Sequence, residues 1–216
     1  MSEDVILIGA GGHAKVVIEL FQAMGRRVAF CVGGAADIAD HCLDVPVLAG
    51  DEHLARLFAK GYRHAFVAIG SNVMRRRMAD EARKIGFILV SAVSPRAVLS
   101  PSCRLGTGVA VMAGVVVNAE SVIEDLVILN TGASVDHDCR IGVTAHIAPQ
   151  CALAGNVQVG ESTFLGVGCK VIPGVRIGAG TVIGAGSVVI RDIPDGVTAM
   201  GVPARVANGA TDKKGP

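Results

Sequence analysis

Two histidines in the second half of the chain have neighbours that suit acid–base chemistry. His137 stands between Asp136 and Asp138, and His146 follows nine residues later. A carboxylate beside an imidazole raises its pKa and can fix its tautomer, and both effects are useful to a general base that works near neutral pH. A lone outward histidine is more often a solvated side chain. The two flanking acids and the second histidine favour a catalytic role for His137.

A glycine-rich turn near the start of the chain is suited to binding a phosphate. The apolar run 5–8 ends in the segment Gly9–Ala14, after which apolar residues recur at helical spacing as far as Gly25. In such a strand–turn–helix unit, backbone N–H groups approach a phosphate at the helix N-terminus, where the helix dipole favours negative charge. The candidate ligand contacts in this turn are Gly11, Gly12 and His13.

A second polar turn is expected at the same edge of the N-terminal sheet. The segment 70–72 follows the buried run 65–69 and opens a helix that carries three arginines, 75–77. The carboxyl ends of parallel strands share one edge, so both turns should line one crevice. The candidates here are Gly70, Ser71, Asn72 and Arg75, which is the arginine nearest the helix start. Asp37 is the nearest candidate for a ribose or base contact.

The first turn also fits the dinucleotide pattern G-x-G-x-x-A, so an NAD-linked oxidoreductase has to be considered. The second strand, around 28–32, runs into Gly33 and Gly34 without an acid at its end for a ribose. The segment has room for only about four strands. A site the size of a mononucleotide fits these features better.

The histidines of the second half lie in a repeat with a period of six residues. Such a period matches neither a helix nor an alternating strand, and it is the repeat unit of a hexapeptide β-helix in which three hexads form one coil. Seventeen positions in a row are aliphatic: Val93, Leu99, Leu105, Val111, Val117, Ile123, Leu129, Val135, Ile141, Ile147, Leu153, Val159, Leu165, Val171, Ile177, Ile183 and Val189.

Two other positions of the hexad have a distinct composition. Four residues after each aliphatic position the side chain is small or medium-sized, which suits the interior of a narrow coil. Four cysteines occupy that position, and we interpret them as core residues rather than disulfides or metal ligands: Cys103, Cys139, Cys151 and Cys169. The position directly after the aliphatic one is often Gly, Asn or Asp, which predicts that it adopts the turn conformation.

Composition limits the remaining possibilities. A formal net charge of +1 over 216 residues provides no basic surface for nucleic acid. The opening residues contain two acids and too short an apolar run for a signal peptide or membrane span, which predicts a cytoplasmic protein. A mean hydropathy of +0.53 suggests extra buried surface in a homo-oligomer. We predict domains at 1–92 and 93–206, followed by a flexible tail at 207–216.

The repeat register separates His137 from His146 by half a coil. Neither residue occupies the interior position, so both are expected to point outward, about 10 Å or more apart in one subunit. Two subunits would be needed to bring them together. We therefore hypothesise a homotrimer in which His137 of one chain faces the flank that carries His146 of the next.

The combined motifs resemble those of the hexapeptide-repeat sugar acyltransferases of the sialic-acid O-acetyltransferase type. This group includes N-acetyltransferases that act on GDP-perosamine and on UDP-4-amino-sugars. The resemblance covers about residues 4–206 and implies a small Rossmann-like α/β domain followed by a left-handed parallel β-helix. The segments that carry it are 9–13, 69–72, 129–131, 136–139, 151–156 and 201–205.

The resemblance implies roles for individual residues. His137 is the general base, Asp138 orients it, and the backbone N–H of Gly155 stabilises the oxyanion, a type of donor worth about 3 kcal/mol. Asn130 contacts the nucleophilic amine. The implied contacts to acetyl-CoA, the co-substrate, are His146, Gly155, Gly166, Val202, Pro203 and Arg205. No metal is implied.

The sequence thus predicts a cytoplasmic N-acetyltransferase that transfers acetyl from acetyl-CoA to the 4-amino group of a nucleotide-linked dideoxy sugar. Relatives often carry paired aspartates after the second strand, where this chain has 33-GGAA-36, so the choice among GDP, UDP and CMP stays open. The alternatives are O-acetylation of a sialic acid, an NAD-linked oxidoreductase, and a structural trimerisation module that carries a nucleotide sensor.

Overall fold

A computed structural model describes residues 3–34 and 40–207. They form two units, one that ends at Pro95 and one that begins at Arg96. The boundary expected between residues 92 and 93 lies just before this division. Asp37 and residues 208–216, most of the expected tail, lie outside the described residues.

The first unit is a six-stranded sheet with three helices. Five neighbouring strands are parallel, in the order β4-β2-β1-β5-β6, and β3 joins β4 in antiparallel pairing at one edge. The elements are β1 Val5–Ile8, α1 Gly12–Ala23, β2 Val28–Gly33, β3 His41–Cys42, β4 Val45–Ala49, α2 Glu52–Ala59, β5 His64–Val67, α3 Asn72–Ile85 and β6 Ile88–Leu89.

The central strands β1, β2 and β5 of the parallel sheet are buried because they are short apolar runs with helices packed against the sheet. Every residue of β1 is buried, as the apolar run 5–8 predicted. The expectation of about four strands was too low, because the segment around Pro46 forms the β3–β4 hairpin. Asp51 occupies the N-cap position of α2, although its side chain makes no capping hydrogen bond.

One glycine of this unit is required by its surroundings. Gly9 has a φ of 116°, and a Cβ there would lie 2.7 Å from the carbonyl oxygen of Ala68. A side chain would therefore be excluded both by the backbone conformation and by the neighbouring chain. The close approach places the turn after β1 beside the turn after β5.

Short strands follow from residue 92 onward, one in each hexad. Their bounds are β7 Ala92–Val93, β8 Val98–Leu99, β9 Arg104–Leu105, β10 Ala110–Val111, β11 Val116–Val117, β12 Val122–Ile123, β13 Ile128–Leu129, β14 Ser134–Val135, β15 Arg140–Ile141, β16 His146–Ile147, β17 Ala152–Leu153, β18 Gln158–Val159, β19 Phe164–Leu165, β20 Lys170–Val171, β21 Arg176–Ile177, β22 Val182–Ile183 and β23 Val188–Val189, and the chain continues with β24 Thr198–Gly201 and β25 Ala204–Val206.

The strands of the second unit stack in three parallel sheets, which confirms the hexapeptide β-helix. One sheet contains β8, β11, β14, β17, β20 and β23, and another contains β9, β12, β15, β18 and β21. The third runs through β10, β13, β16, β19 and β22 to a closing hairpin of β24 and β25. Partners in each sheet are eighteen residues apart, as in the pair Val135 and Leu153, so three hexads make one coil.

The aliphatic row fills the interior of the β-helix. All its members from Val111 to Val189 are buried, and the first three, at 93, 99 and 105, are half-buried. Cys139, Cys151 and Cys169 are buried as expected, whereas Cys103 is half-buried. Stacking of identical rows thus supplies the core that no single hexad can form.

The turn position of the hexad differs from the one the sequence suggested. A positive φ recurs three residues after every aliphatic position from Leu105 to Ile183, not one residue after it, and it occurs at non-glycine residues such as Glu120, Asp138 and Asn156. The glycines directly after the aliphatic row are required for a different reason. A Cβ at Gly142 or Gly160 would lie 2.7 or 2.4 Å from a backbone nitrogen of the next coil. Close stacking of coils, rather than turn conformation, selects glycine there.

Candidate active site

His137 lies in the corner between β14 and β15, and its imidazole is held at one nitrogen. Its Nδ1 is 2.8 Å from Oδ2 of Asp138, and its side chain remains 59 % exposed. The hydrogen bond that Nδ1 donates to Asp138, followed by the negative charge of Asp136, raises the pKa of His137 above its ordinary value of 6.5. With Nδ1 bonded to a carboxylate, Nε2 is the nitrogen that remains to accept a proton from a substrate.

The main chain around His137 is fixed by the coils on both sides. The carbonyl of His137 accepts a hydrogen bond from the N–H of Asn156 at 2.8 Å, and the N–H of Asp138 donates to the carbonyl of Ala119 at 3.0 Å. Asp138 itself adopts a φ of 59°, which aspartate tolerates better than most residues. The corner therefore presents the histidine and its carboxylate partner from a rigid support.

Gly155 lies one coil above His137 and directly against its ring. A Cβ on Gly155 would be 2.5 Å from Cε1 and 2.6 Å from Nε2 of His137. A side chain at residue 155 would therefore displace the imidazole from this position. Gly155 lies in the turn between β17 and β18, and its N–H donates to no backbone carbonyl of the described residues. This N–H is available to a ligand atom.

The second histidine lies on a different face of the β-helix, in strand β16. Its Nε2 is 3.2 Å from Nδ2 of Asn130, and its ring meets that of Phe164 edge-to-face with centroids 5.1 Å apart. His146 lies outside the aliphatic interior row, which Ile147 occupies in the same strand, yet only 9 % of the residue is exposed. Its neighbours on the same sheet cover it. Asn130 is half-exposed, and its Oδ1 accepts the N–H of Thr131 at 2.8 Å.

Three turns at the carboxyl edge of the N-terminal sheet carry glycines that neither packing nor backbone conformation requires. Beta carbons built at these positions would meet no atom within 4 Å, and none of the residues has a positive φ. They follow β1, β2 and β5, which are neighbours in the sheet. Open space above a glycine leaves room for a ligand to approach the backbone. The four residues are Gly11, Gly12, Gly34 and Gly70; Gly34 was not among the expected contacts.

His13 lies in the first turn of α1, beside this edge. Its Nε2 is buried and has no hydrogen-bond partner among the described residues. Burial, with a smaller contribution from the nearby positive charge of Arg75, lowers the pKa of His13 from 6.5 to about 4. The imidazole is therefore neutral at physiological pH, and its buried nitrogen can form a hydrogen bond with a bound ligand.

Arg75 is buried, and its guanidinium hydrogen-bonds to the polar turn itself. Its Nη1 donates to the carbonyls of Ile69 and Gly70 at 3.0 and 2.9 Å, and its Nη2 donates to Oδ1 of Asn72 at 2.8 Å. Burial lowers its pKa to about 10, so it stays charged. Ser71 caps α3 by accepting the N–H of Met74. Arg75 thus shapes the turn that would meet the ligand.

The remaining expected acetyl-CoA contacts lie in the last coils and the closing hairpin. Val202 and Pro203 form the exposed tip between β24 and β25, and Nη1 of Arg205 donates to the carbonyl of Ala204 at 3.0 Å. A Cβ on Gly166 would lie 2.5 Å from the backbone nitrogen of Ala185. Coil stacking therefore already explains this glycine without a ligand.

Two family profiles match the chain. The PglD N-terminal domain matches residues 4–82, and the bacterial transferase hexapeptide (six repeats) matches residues 156–191. Each profile falls within one of the two units that the structure describes.

Solved structures match almost the whole chain. PerB from Caulobacter crescentus, in complex with CoA and GDP-perosamine, is 57 % identical with a TM-score of 0.91, over 94 % of this chain and 97 % of that one. The chain belongs to the nucleotide-sugar N-acetyltransferases of the hexapeptide-repeat superfamily. A histidine-to-alanine mutant of GDP-perosamine N-acetyltransferase from the same organism is 56 % identical (TM-score 0.92, 94 % and 96 % covered). The acetyltransferase domain of PglB from Neisseria gonorrhoeae, in complex with acetyl coenzyme A, is 38 % identical (TM-score 0.89, 96 % and 100 % covered).

This membership confirms the family and fold inferred from the motifs and makes the protein an acyltransferase. The oxidoreductase alternative suggested by the glycine turn is thereby set aside. Among residues 3–34 and 40–207 no three or more His, Cys, Asp or Glu residues gather in a way that could hold a metal ion. Within the same ranges no helix has the length and apolarity to span a membrane.

Sequence reasoning overlooked two neighbours of this N-acetyltransferase's histidines. Phe164 packs against His146 from one coil above, and Asn118 hydrogen-bonds Asp136 from one coil below. Both were within reach of the eighteen-residue period, because residues one coil apart are neighbours in the stack. Applying that spacing to each histidine and its flanking acids would have found them.

Proposed function

We propose that this protein transfers the acetyl group of acetyl-CoA to the 4-amino group of a nucleotide-linked 4-amino-4,6-dideoxy sugar, with GDP-perosamine as the preferred acceptor. The observation that carries the proposal is the 57 % identity, over nearly the full length of both chains, to a protein crystallised with CoA and GDP-perosamine.

In the proposed reaction the sugar amine attacks the thioester carbonyl directly. Nε2 of His137 accepts the proton that the amine loses as the C–N bond forms, and the N–H of Gly155 donates to the developing oxyanion. Collapse of the tetrahedral intermediate breaks the C–S bond, and the protonated histidine returns its proton to the departing CoA thiolate. Asp138 holds the imidazole in the required orientation throughout.

A covalent acyl-enzyme is disfavoured by the state of the cysteines. Cys139, the nearest in sequence to His137, donates its Sγ–H to the carbonyl of Ala154 at 3.2 Å, and burial raises its pKa. Burial likewise raises the pKa of Cys169 to about 12. A thiol acts as a nucleophile in its thiolate form, which these environments oppose.

We assign nucleotide binding to the carboxyl edge of the N-terminal sheet. The open glycines Gly11, Gly12 and Gly70 let backbone N–H groups reach a pyrophosphate at the start of α1, and the neutral His13 supplies one further hydrogen bond. Ser71 and Asn72 form the opposing turn, whose shape Arg75 maintains. Asp37 stays a candidate for the base or ribose.

For the remaining contacts, Asn130 is proposed to meet the substrate amine through Oδ1. That oxygen accepts the N–H of Thr131 at 2.8 Å and the hydroxyl of Thr131 at 3.4 Å, and the substrate would displace the longer of the two hydrogen bonds. His146 would hold the side-chain amide of Asn130 through its Nδ2 atom and would border the acetyl-CoA path. The rest of that path is assigned to Gly166, Val202, Pro203 and Arg205. These assignments follow the family resemblance.

The acceptor is tested by measuring acetyl transfer to GDP-, UDP- and CMP-linked 4-amino sugars, to the free amino sugar and to a sialic acid. We expect GDP-perosamine to have the highest kcat/KM and the free sugar to react far more slowly, because it lacks the pyrophosphate that the N-terminal turns would bind. A thermal-shift series with and without CoA reports binding separately from turnover. Equal rates with the free sugar would contradict the nucleotide assignment, and preferred transfer to a sialic acid would support the O-acetyltransferase alternative.

The proposed trimer places His137 of one subunit and Asn130 of the next in a shared site, which a mixing experiment can test. His137→Ala and Asn130→Ala are each expected to be slow alone. Random co-assembly would create intact sites wherever an unchanged His137 meets an unchanged Asn130, or in about a quarter of the interfaces. Co-expressed chains should therefore regain about a quarter of wild-type activity. Activity equal to the mean of the two separate variants would contradict a shared site.

A further inference from the structure

A pair of polar side chains lies directly beneath the His137 corner. Nδ2 of Asn118 donates to Oδ1 of Asp136 at 2.8 Å, and the same oxygen accepts the main-chain N–H of His137 at 2.8 Å. The carbonyl of Asp136 in turn accepts the hydroxyl of Ser121 at 2.7 Å. The carboxylate and the carbonyl of Asp136 therefore both fix the peptide bond between Asp136 and His137.

Among the residues that stack at this corner, an Asn–Asp pair occurs only beside His137. Residues at the same corner, eighteen apart, are Ser100, Asn118, Asp136, Ala154, Ile172 and Ile190. The column thus changes from polar to apolar one coil above Asp136. A corner ladder needed for stacking alone would continue along the β-helix, whereas this one ends where the histidine is supported.

We propose that Asp136, held in place by Asn118, is a positioning residue for acetyl transfer: its carboxylate clamps the main chain of His137 and places a negative charge beside the imidazole. Asp138 binds the ring at Nδ1 and Gly155 limits it at Nε2. Asp136 acts on the third element, the backbone from which the ring projects. The inference rests on the proposed role of His137 as the general base.

The electrostatic surroundings agree with this arrangement. Donation by Asn118, followed by that of the His137 N–H, lowers the pKa of Asp136, so its carboxylate is ionised near neutral pH. The pKa of His137 is raised most by the hydrogen bond to Asp138 and next by the negative charge of Asp136. The coil above presents only neutral residues at this corner, 154–156, and the coil below adds Glu120, one coil from Asp138.

The test uses two substitutions that separate charge from geometry. Asp136→Asn keeps an oxygen that can accept both hydrogen bonds but removes the charge, so the pKa of His137 should fall. The acidic limb of the kcat/KM profile should move to lower pH by the same amount. Asp136→Ala also removes the acceptor, and kcat should fall about tenfold, with KM for both substrates nearly unchanged, because the ring is misplaced.

Asp125→Asn is the matched control. Asp125 also lies at a corner, and its Oδ1 accepts the N–H of Thr107 at 2.9 Å from the preceding coil. An acid-to-amide change there should leave the pH profile and the His137 titration at their wild-type positions.

Titration of His137 by NMR separates failure of this inference from failure of the proposed function. An unchanged His137 pKa in Asp136→Asn, together with wild-type kcat in Asp136→Ala, would overturn the positioning role. A shifted pKa without any shift in the pH–rate profile would support the electrostatic coupling and contradict the general base. If Asp136→Asn and Asp125→Asn lose the same stability and neither shifts the pKa of His137, Asp136 only stabilises the corner, and the positioning role is wrong.

Discussion

Replacing His137 with alanine is expected to lower kcat by about 10²- to 10⁴-fold, the usual contribution of a positioned general base. The imidazole is exposed, and its Nδ1 is bound to Asp138 at 2.8 Å, so Nε2 is available to the substrate. Alanine removes that acceptor while the corner keeps its backbone hydrogen bonds to neighbouring coils. KM for both substrates should change little, because the loss falls on the transition state.

His41→Ala is a suitable control, since His41 is exposed and lies in the first unit. It should retain wild-type kinetics. The measurement is steady-state acetyl transfer with both substrates varied. A His137→Ala enzyme within threefold of wild type would falsify the assignment of the base.

The wild-type pH profile provides an independent check on His137. A base must be neutral to accept a proton, and the Asp138 hydrogen bond and the Asp136 charge raise the pKa of this histidine above 6.5. Activity should therefore be lost as the pH falls through a value above 6.5. His13 cannot produce such a limb, because its pKa is lowered to about 4.

The sequence predicted the fold well because the β-helix is a periodic object. Each aliphatic residue from Val111 to Val189 occupies the same interior place, and the period alone located the strands and the three buried cysteines. The same register placed His137 outside the interior position. A repeat register is a local property of the chain, so no knowledge of long-range contacts was needed.

The errors arose where neighbours in space decide the outcome. Glycine after the aliphatic row was attributed to turns, but Gly142 and Gly160 are required by the coil above. The register placed His146 outside the interior position, but it could not show that Asn130 and Phe164 from adjacent coils cover it. Sequence composition at one position cannot distinguish backbone strain from close approach, because both select glycine.

The positions of the two polar turns in the N-terminal sheet were predictable, but the hydrogen bonds that their residues make were not. Parallel strands predicted that both polar turns share one edge. The structure adds that Arg75 is occupied with Ile69, Gly70 and Asn72, whereas the nearby His13 keeps a buried nitrogen without a partner. A sequence indicates which groups are present, and hydrogen-bond geometry shows which are still available. Their contacts with a nucleotide stay predictions.

Gly155→Ala is expected to lower kcat by at least about 10²-fold, the effect of displacing a catalytic group by about 1 Å. The new methyl group would lie 2.5 Å from Cε1 and 2.6 Å from Nε2 of His137, so the ring has to move. Gly155 has no positive φ, so alanine fits the backbone, and the substitution keeps the N–H proposed for the oxyanion. The activity loss therefore reports the position of the histidine, not the loss of a donor.

A double-mutant cycle separates these two roles of Gly155. In a His137→Ala background the methyl group no longer meets an imidazole, so adding Gly155→Ala should reduce kcat little further. Steady-state kinetics of the two single variants and the double variant measure the coupling. If the two losses multiply instead, Gly155 acts independently of His137, and the contact between the glycine and the ring is not what catalysis requires. If they do not, a single missing side chain at residue 155 is what leaves room for the base to work.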